Sequence, residues 1–367
     1  MINFETTKNM TLMKRLLLFS IAIILILCSC NYNNETRQKL VLADTLLYHT
    51  KNDSAMKILK SISVENLKDE SNRAYYNLLM TQANHVLYMS PMPDSIINRC
   101  IEYYTKHYDA EKLAKAYYYN GIIQTNKNNY QKAINSLKRG EPHAKKSKNK
   151  VLIHHIAENL SFINLEIGNL NTALTYAHIA LNKASEMKRE SWIAEDSYRM
   201  SAIFGAKAMQ DSSNFYMNKA LKYAASLQKQ LRSDFYANVS AYYYNINKLD
   251  SAEKYILMSI KAKPTARAEF ILGVIYMEKG RKAEAWRLYE KAVADGDFDI
   301  KAEVLAWMSD IKKEQGEYKE AMKLAERSKA AEDSMKARQQ TEDMLALQKS
   351  IEKEEAVKNA GQWMPAF

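Results

Sequence analysis

One register returns along this chain every 33–41 residues, at Ala55, Ile96, Ala133, Ala173, Ser213, Ala252, Ala285 and Ala321, and it is small in all copies but one. Five residues before each mark stand Thr50, Pro91, Asn128, Gly168, Ala208, Asn247, Gly280 and Gly316, most of them turn-permissive. Self-similarity of this period is the signature of stacked supersecondary units, none of which buries its apolar face alone. Because the turn-to-mark interval is constant while the repeat length varies, the extra residues of the longer copies are expected after the second helix. Pro142 and Pro264 are expected in those junctions, where a helix must stop.

Composition selects helices for these units. With 9 Gly and 5 Pro in 367 residues there is too little turn chemistry for an all-β chain. A hydrophobic share of 47% with 26% charge is that of a folded protein and excludes wholesale disorder.

The clearest unit is AEFILGVIYMEKGRKAEAWRLYEKAV, Ala268 to Val293. Its Leu272-Gly273, Tyr276, Gly280, Ala285, Tyr289 and Ala292 resemble the signature of the tetratricopeptide repeat (TPR), a helix-turn-helix unit of about 34 residues. Small residues at Gly121, Ala133, Ala173, Ala252, Gly273, Ala285, Ala292 and Ala321 let paired helices approach, while Gly168, Gly280 and Gly316 end first helices where left-handed backbone is favoured. The match is weakest around Ile96 and Ser213. The resemblance implies an all-α, right-handed superhelical solenoid of about eight repeats over residues 37–330, a long helix over 331–358 and a tail over 359–367. LADTLLYHTKNDSAMKILKSI, Leu42 to Ile62, narrows it toward the TPR lipoproteins and membrane sensors of Bacteroidetes-type bacteria. In the long C-terminal segment Met344, Leu347 and Ile351 keep coiled-coil spacing for scarcely two heptads, which leaves a solvated capping helix and a dimerising helix both open.

The N-terminus assigns a place of work. MKRLLLFSIAIILILCSC has a basic start at Lys14 and Arg15 and then 13 apolar residues, Leu16 to Cys28, too few for a spanning helix of roughly 20. Met10 and Met13 are alternative starts. Leu27-Cys28-Ser29-Cys30 resembles a bacterial lipobox, with Leu27 and Ser29 flanking the cut. That resemblance implies a signal peptide over residues 1–29, lipid on the Cys30 thiol, and a lipid anchor with a short tether over 30–36. Asn31 after the cysteine resembles outer-membrane sorting. An uncleaved anchor and ordinary secretion are the alternatives. Past Cys30 only Cys100 remains, which excludes an intramolecular disulfide or a cysteine metal cluster.

Chemistry is sparse. No phosphate loop, dinucleotide fingerprint, zincin helix or nucleophile elbow is present, so no catalysis and no cofactor is expected. His154 and Glu158 stand one turn apart, but two ligands are not a metal site, and ordinary helix surface is the expectation there. Residues 1–29 carry three basic and one acidic side chain, so +9 of the net +11 belongs to the remainder. Its densest stretch, Lys145 to Lys150, reads as a solvated junction, and no nucleic-acid motif accompanies it. Trp192, Trp286 and Trp307 are expected in the core and Trp363 beyond the repeats.

A TPR array implies a concave groove lined by the first helices, and the register places Tyr118, Ile122, Phe162, Tyr198, Tyr244, Phe270, Val274 and Met277 there. Tyrosine and methionine suit adaptable contact. Packing of half of these against the next repeat is the competing reading. The expected function is a lipid-anchored, non-catalytic envelope scaffold that binds a protein or peptide. The alternatives are a ligand-sensing subunit of a membrane signalling partner and, third, a glycan-binding lipoprotein.

Overall fold

In the computed structural model, residues 34–63, 67, 69–90 and 92–362 are described, with most side chains beyond residue 341 left out. Leu27, Ser29 and Cys30, like Pro91 and Trp363, lie outside the described residues. Helix follows helix throughout: α1 (34–48), α2 (Asn52–Lys60), α3 (Glu70–Val86), α4 (Asp94–Lys106), α5 (Ala110–Asn126), α6 (Tyr130–Ser147), α7 (Lys150–Glu166), α8 (Leu170–Glu186), α9 (Glu190–Ala206) and α10 (Gln210–Tyr223). After a short 3-10 turn at Ala224–Ser226 come α11 (Lys229–Asn245), α12 (Leu249–Ala262), α13 (Ala266–Glu278), α14 (Lys282–Asp295), α15 (Phe298–Glu314) and α16 (Tyr318–Gln362). The protein is an all-α solenoid of eight helix pairs among the described residues, in two compact units that divide between Ala220 and Leu221.

The turn register is visible in the backbone. Thr50, Asn128, Gly168, Ala208, Asn247, Gly280 and Gly316 all adopt left-handed φ, between 56° and 79°. Each lets the chain reverse while the next amide reaches back to an orphan carbonyl, as Arg281 N does to Tyr276 O at 2.8 Å and Asn169 N to Asn164 O at 2.7 Å. Only the Ile96 copy slips. There the left-handed residue is Tyr88, and the buried position on α4 is Ile97 rather than Ile96.

Twelve residues before each mark on the six later pairs stands a Gly or Ser, and it sets how closely the two helices pack. A Cβ on Gly121 would lie 2.7 Å from Leu137 Cγ, and one on Gly273 would lie 2.6 Å from Tyr289 Cε1. Where serine stands, its hydroxyl bridges the gap: Ser161 donates to Ala173 O at 2.9 Å, Ser201 to Ser213 O at 2.8 Å, Ser240 to Ala252 O at 2.8 Å and Ser309 to Ala321 O at 2.7 Å. Sequence similarity is weak at Ser213, yet its packing is that of the other copies. Leucine in place of the fully buried Ala285 is expected to cost about 1–3 kcal/mol by overpacking, read as a lower denaturation midpoint; an unchanged midpoint would refute the register.

Two expectations change. Pro142 lies inside α6 and not in a junction; it is exposed, where water can replace the one helical hydrogen bond it removes, and the helix continues. Pro264 does sit between α12 and α13. The second change is at the C-terminus, where α16 runs unbroken through residue 330 as one 45-residue helix. The Lys145–Lys150 stretch is the α6–α7 junction, with Lys148 left-handed, Lys145 paired to Glu141 and Lys150 to Glu186. Cys100 is buried, its thiol 3.5 Å from Ala74 O and its pKa pushed up to about 12 by burial, which makes it inert. Among the described residues no helix is long and apolar enough to cross a membrane.

Candidate binding face on the first helices of the first unit

Helices α5, α7 and α9 open three consecutive pairs of the first unit. Asp109 and Asn149 start α5 and α7 by accepting the amides of Lys112 and Leu152 at 3.0 and 3.1 Å, which fixes where each helix begins and so the phase of its faces. On that phase an aromatic run crosses the helices. Tyr118 stacks on His155 with centroids 5.7 Å apart, His155 tilts against Trp192 at 4.9 Å, and Trp192 lies flat on His154 at 4.4 Å. The Arg189 guanidinium sits 5.6 Å from the Trp192 ring, and that of Arg199 5.6 Å from the ring of Phe162.

Charge runs beside the rings. His154 Nε2 and Asp196 Oδ2 are 2.9 Å apart with both side chains essentially sealed from solvent. Glu158 Oε1 lies 3.5 Å from Arg199 Nη2, and Oε2 lies 3.5 Å from His155 Nδ1. Burial opposes charge on His154, Glu158 and Asp196, and at Asp196 it prevails over the His154 hydrogen bond, so that carboxyl is raised above its ordinary range. For His154, burial is outweighed by the Asp196 hydrogen bond and the nearby carboxylates, so its pKa is raised. Glu158 resists burial too: His155 and Arg199 hold its carboxyl down at about 2. Glu195, with burial and the charges of Glu158 and Asp196 against it, is pushed up to about 7.

The Glu195 shift has a testable sign. A carboxyl whose folded pKa is raised favours folding below its unfolded pKa of 4.5 and loses that advantage as pH rises through 7. Glu195→Gln is therefore expected to stabilise the protein at pH 8 by up to about 3 kcal/mol and to change nothing at pH 4, checked by denaturant midpoints at both pH values.

The eight groove positions read from the sequence divide. Tyr118 and Ile122 on α5 and Phe270 on α13 are buried and serve packing. Phe162 and Tyr198 in the first unit, and Tyr244, Val274 and Met277 in the second, remain partly exposed. Phe270, Val274 and Met277 join the cluster around Tyr289, and Tyr244 reaches Glu278 at 3.5 Å. The tryptophans are not sealed in the core: Trp192 is partly exposed, Trp286 packs against the cluster around Tyr289 while partly exposed, and Trp307 is 39% exposed while its Nε1 donates to Tyr289 Oη. His154 is buried rather than on helix surface. Sequence reading passed over His155, Glu195, Asp196 and Arg199 and assigned Trp192 to the core. One signal was there: Glu158 stands fifteen residues before Ala173, the phase of Tyr118 before Ala133 and Tyr198 before Ser213.

The fold and this face define a class, an all-α solenoid of TPR type. No protein-family model matches the chain, and no curated protein matches it. Solved structures do. The Rap protein complexed with Competence and Sporulation Factor is similar at a TM-score of 0.58 and 16% identity, over 83% of this chain and 99% of that one. NprR in complex with its cognate peptide NprX matches at 0.54 and 17%, over 77% and 86%. A signal-transduction ATPase with a tetratricopeptide repeat sensor from Pyrococcus horikoshii matches at 0.54 and 17%, over 69% of this chain and 41% of that one. At these identities the likeness is one of fold.

Proposed function

We propose that this chain is a non-catalytic scaffold, lipid-anchored at the bacterial envelope, that binds an extended peptide or protein segment along the first helices of its first unit. The observation that carries the reading is the partly exposed band of Phe162, Trp192, Tyr198 and Arg199, in which the Arg199 guanidinium faces both the Phe162 ring and the partly exposed Glu158 carboxylate. Rigid aromatic rings give contact area at low entropic cost, and a guanidinium beside them recognises carboxylates or backbone carbonyls. Rap and NprR, whose folds are similar, were solved with Competence and Sporulation Factor and with the peptide NprX. The lipobox-like Leu27-Cys28-Ser29-Cys30 supports the anchoring part.

A displayed library of random peptides panned on the full chain tests the binding part. Peptides are expected whose affinity falls on the order of tenfold or more with Trp192→Ala, as for a truncated hot spot, and stays unchanged with Phe215→Ala, an exposed residue of α10. Binders indifferent to Trp192 would refute it. Anchoring is tested separately: Cys30→Ser should release the protein from the membrane fraction and Cys28→Ser should not, and equal behaviour would sink the cleavage register.

A second reading is a ligand-sensing subunit that reports to a membrane partner. The 45-residue α16, much longer than any other helix described, favours it as an output arm.

A further inference from the structure

We propose that His154, His155 and Glu158, on successive turns of α7, form a binding site for a divalent transition-metal ion of the zinc type. Each side chain offers one donor atom, and the three donors lie within 4.8 Å of one another. Zinc bonds of roughly 2.0–2.2 Å place tetrahedral donors about 3.4 Å apart, so the cluster closes on an ion by ~1.4 Å at most. His155 and Glu158 are partly exposed and can supply that movement by side-chain rotation, while His154 is fixed.

His154 is the informative member. Its Nε2 is committed to the buried Asp196 carboxylate at 2.9 Å, so the nitrogen left for an ion is Nδ1. That atom is fully buried and has no hydrogen-bond partner. Buried polar atoms are nearly always paired, and an orphan in an otherwise well-bonded network marks a place for something else. An imidazole backed by a carboxylate on one nitrogen, with the other nitrogen bare, is the arrangement of a metal-bound histidine, in which the carboxylate fixes the tautomer and raises ligand basicity.

The remaining chemistry agrees. Glu158 has an oxygen for each neighbour, Oε1 toward Arg199 and Oε2 toward His155, so an ion could take Oε2 without displacing the guanidinium. Two imidazoles and one carboxylate suit zinc and its first-row neighbours over magnesium or calcium, which prefer all-oxygen sets. Three protein ligands leave a fourth position for water or an incoming group. On binding, any proton on the His154 or His155 nitrogen that ligates is released to solvent.

The site does not depend on the peptide-binding reading, and its test uses no peptide. The full chain, stripped with a chelator, is titrated with Zn2+ and with Co2+ as a spectroscopic substitute, Mg2+ serving as control. One Zn2+ per chain is expected, a visible d–d band of low-symmetry Co2+ with quenching of Trp fluorescence through Trp192, and no response to Mg2+. His155→Ala and Glu158→Gln, both at partly exposed positions and checked for retained helicity by circular dichroism, should each weaken binding at least tenfold. Asp196→Asn should weaken it on the order of 10–100-fold by misdirecting His154. A stripped chain that takes up no Zn2+ would overturn the site, leaving the cluster an ion-pair network only. So would stoichiometric binding that His155→Ala and Glu158→Gln leave unchanged, since the ion would then sit on other histidines.

Discussion

Asp196→Ala is expected to destabilise the first unit by about 3–5 kcal/mol near pH 6. The side chain is sealed from solvent and its Oδ2 is the partner of His154 Nε2 at 2.9 Å. Removing it leaves a buried imidazole with neither nitrogen paired, because Nδ1 has no partner already. The pH dependence follows from the raised pKa of His154, which Asp196 secures against burial. A histidine whose folded pKa is raised contributes stability that is fully present below its unfolded pKa of 6.5 and is lost as pH rises through the folded value. The penalty should therefore be largest near pH 6 and smaller near pH 9, as the ring gives up its proton. Asp196→Asn, which keeps a hydrogen-bonding group of the same shape, should cost less than Asp196→Ala at both. Denaturant titrations of the three proteins at the two pH values measure this, and a pH-independent loss would mean that the pair carries no charge in the native state.

Tyr289→Ala is expected to cost the second unit a similar 3–5 kcal/mol, by the cavity it opens. Tyr289 is the largest fully buried side chain among those described, packs beside Phe270 at a centroid distance of 5.9 Å, and accepts the Trp307 indole hydrogen bond at 3.1 Å. Tyr289→Phe removes only that bond and should cost about 0.5–1.5 kcal/mol. The same ring explains why position 273 is glycine, since any Cβ there would press on it at 2.6 and 2.8 Å. Gly273→Ala alone should cost about 1–3 kcal/mol by overpacking. Combined with Tyr289→Ala it should cost much less than the sum, because the new methyl occupies part of the vacated volume. Calorimetric or chemical denaturation of the four proteins completes the cycle, and simple additivity would contradict the packing described.

Local rules carried the fold. The turn positions were legible because a left-handed residue is needed wherever a first helix ends, and Gly, Asn or a small polar residue meets that need at the lowest cost. Ala208 and Thr50 show that the register also imposes the conformation on residues that do not prefer it. The Ser and Gly positions twelve residues before the marks were legible in principle, as one small-residue column. Pro142 misled because an exposed position can lose one helical hydrogen bond to water, and sequence does not tell the exposed side of α6 from the buried one.

The binding face was half legible. Counting fifteen residues back from the marks found Tyr118 and Tyr198 but left the acid of that column, Glu158, while Phe162 came from the column eleven residues back. The pairs that give the face its chemistry join α7 to α9 across about one repeat: His154 with Asp196 at a separation of 42, Glu158 with Arg199 at 41. Such pairs follow from how neighbouring first helices stack, which no window along one helix contains. Burial of Tyr118, Ile122 and Phe270 was hidden for the same reason, because it depends on the neighbouring repeat.

Site-specific photocrosslinking in the producing cell tests the binding face most directly. A benzophenone side chain placed at Phe162 or Tyr198, on the partly exposed face of α7 and α9, should yield a discrete crosslinked product with a peptide or protein, whereas the same group at Phe215, 63% exposed on second helix α10, should yield none. Products from Phe215 with none from Phe162 or Tyr198 would contradict the assignment of the first helices as the binding face.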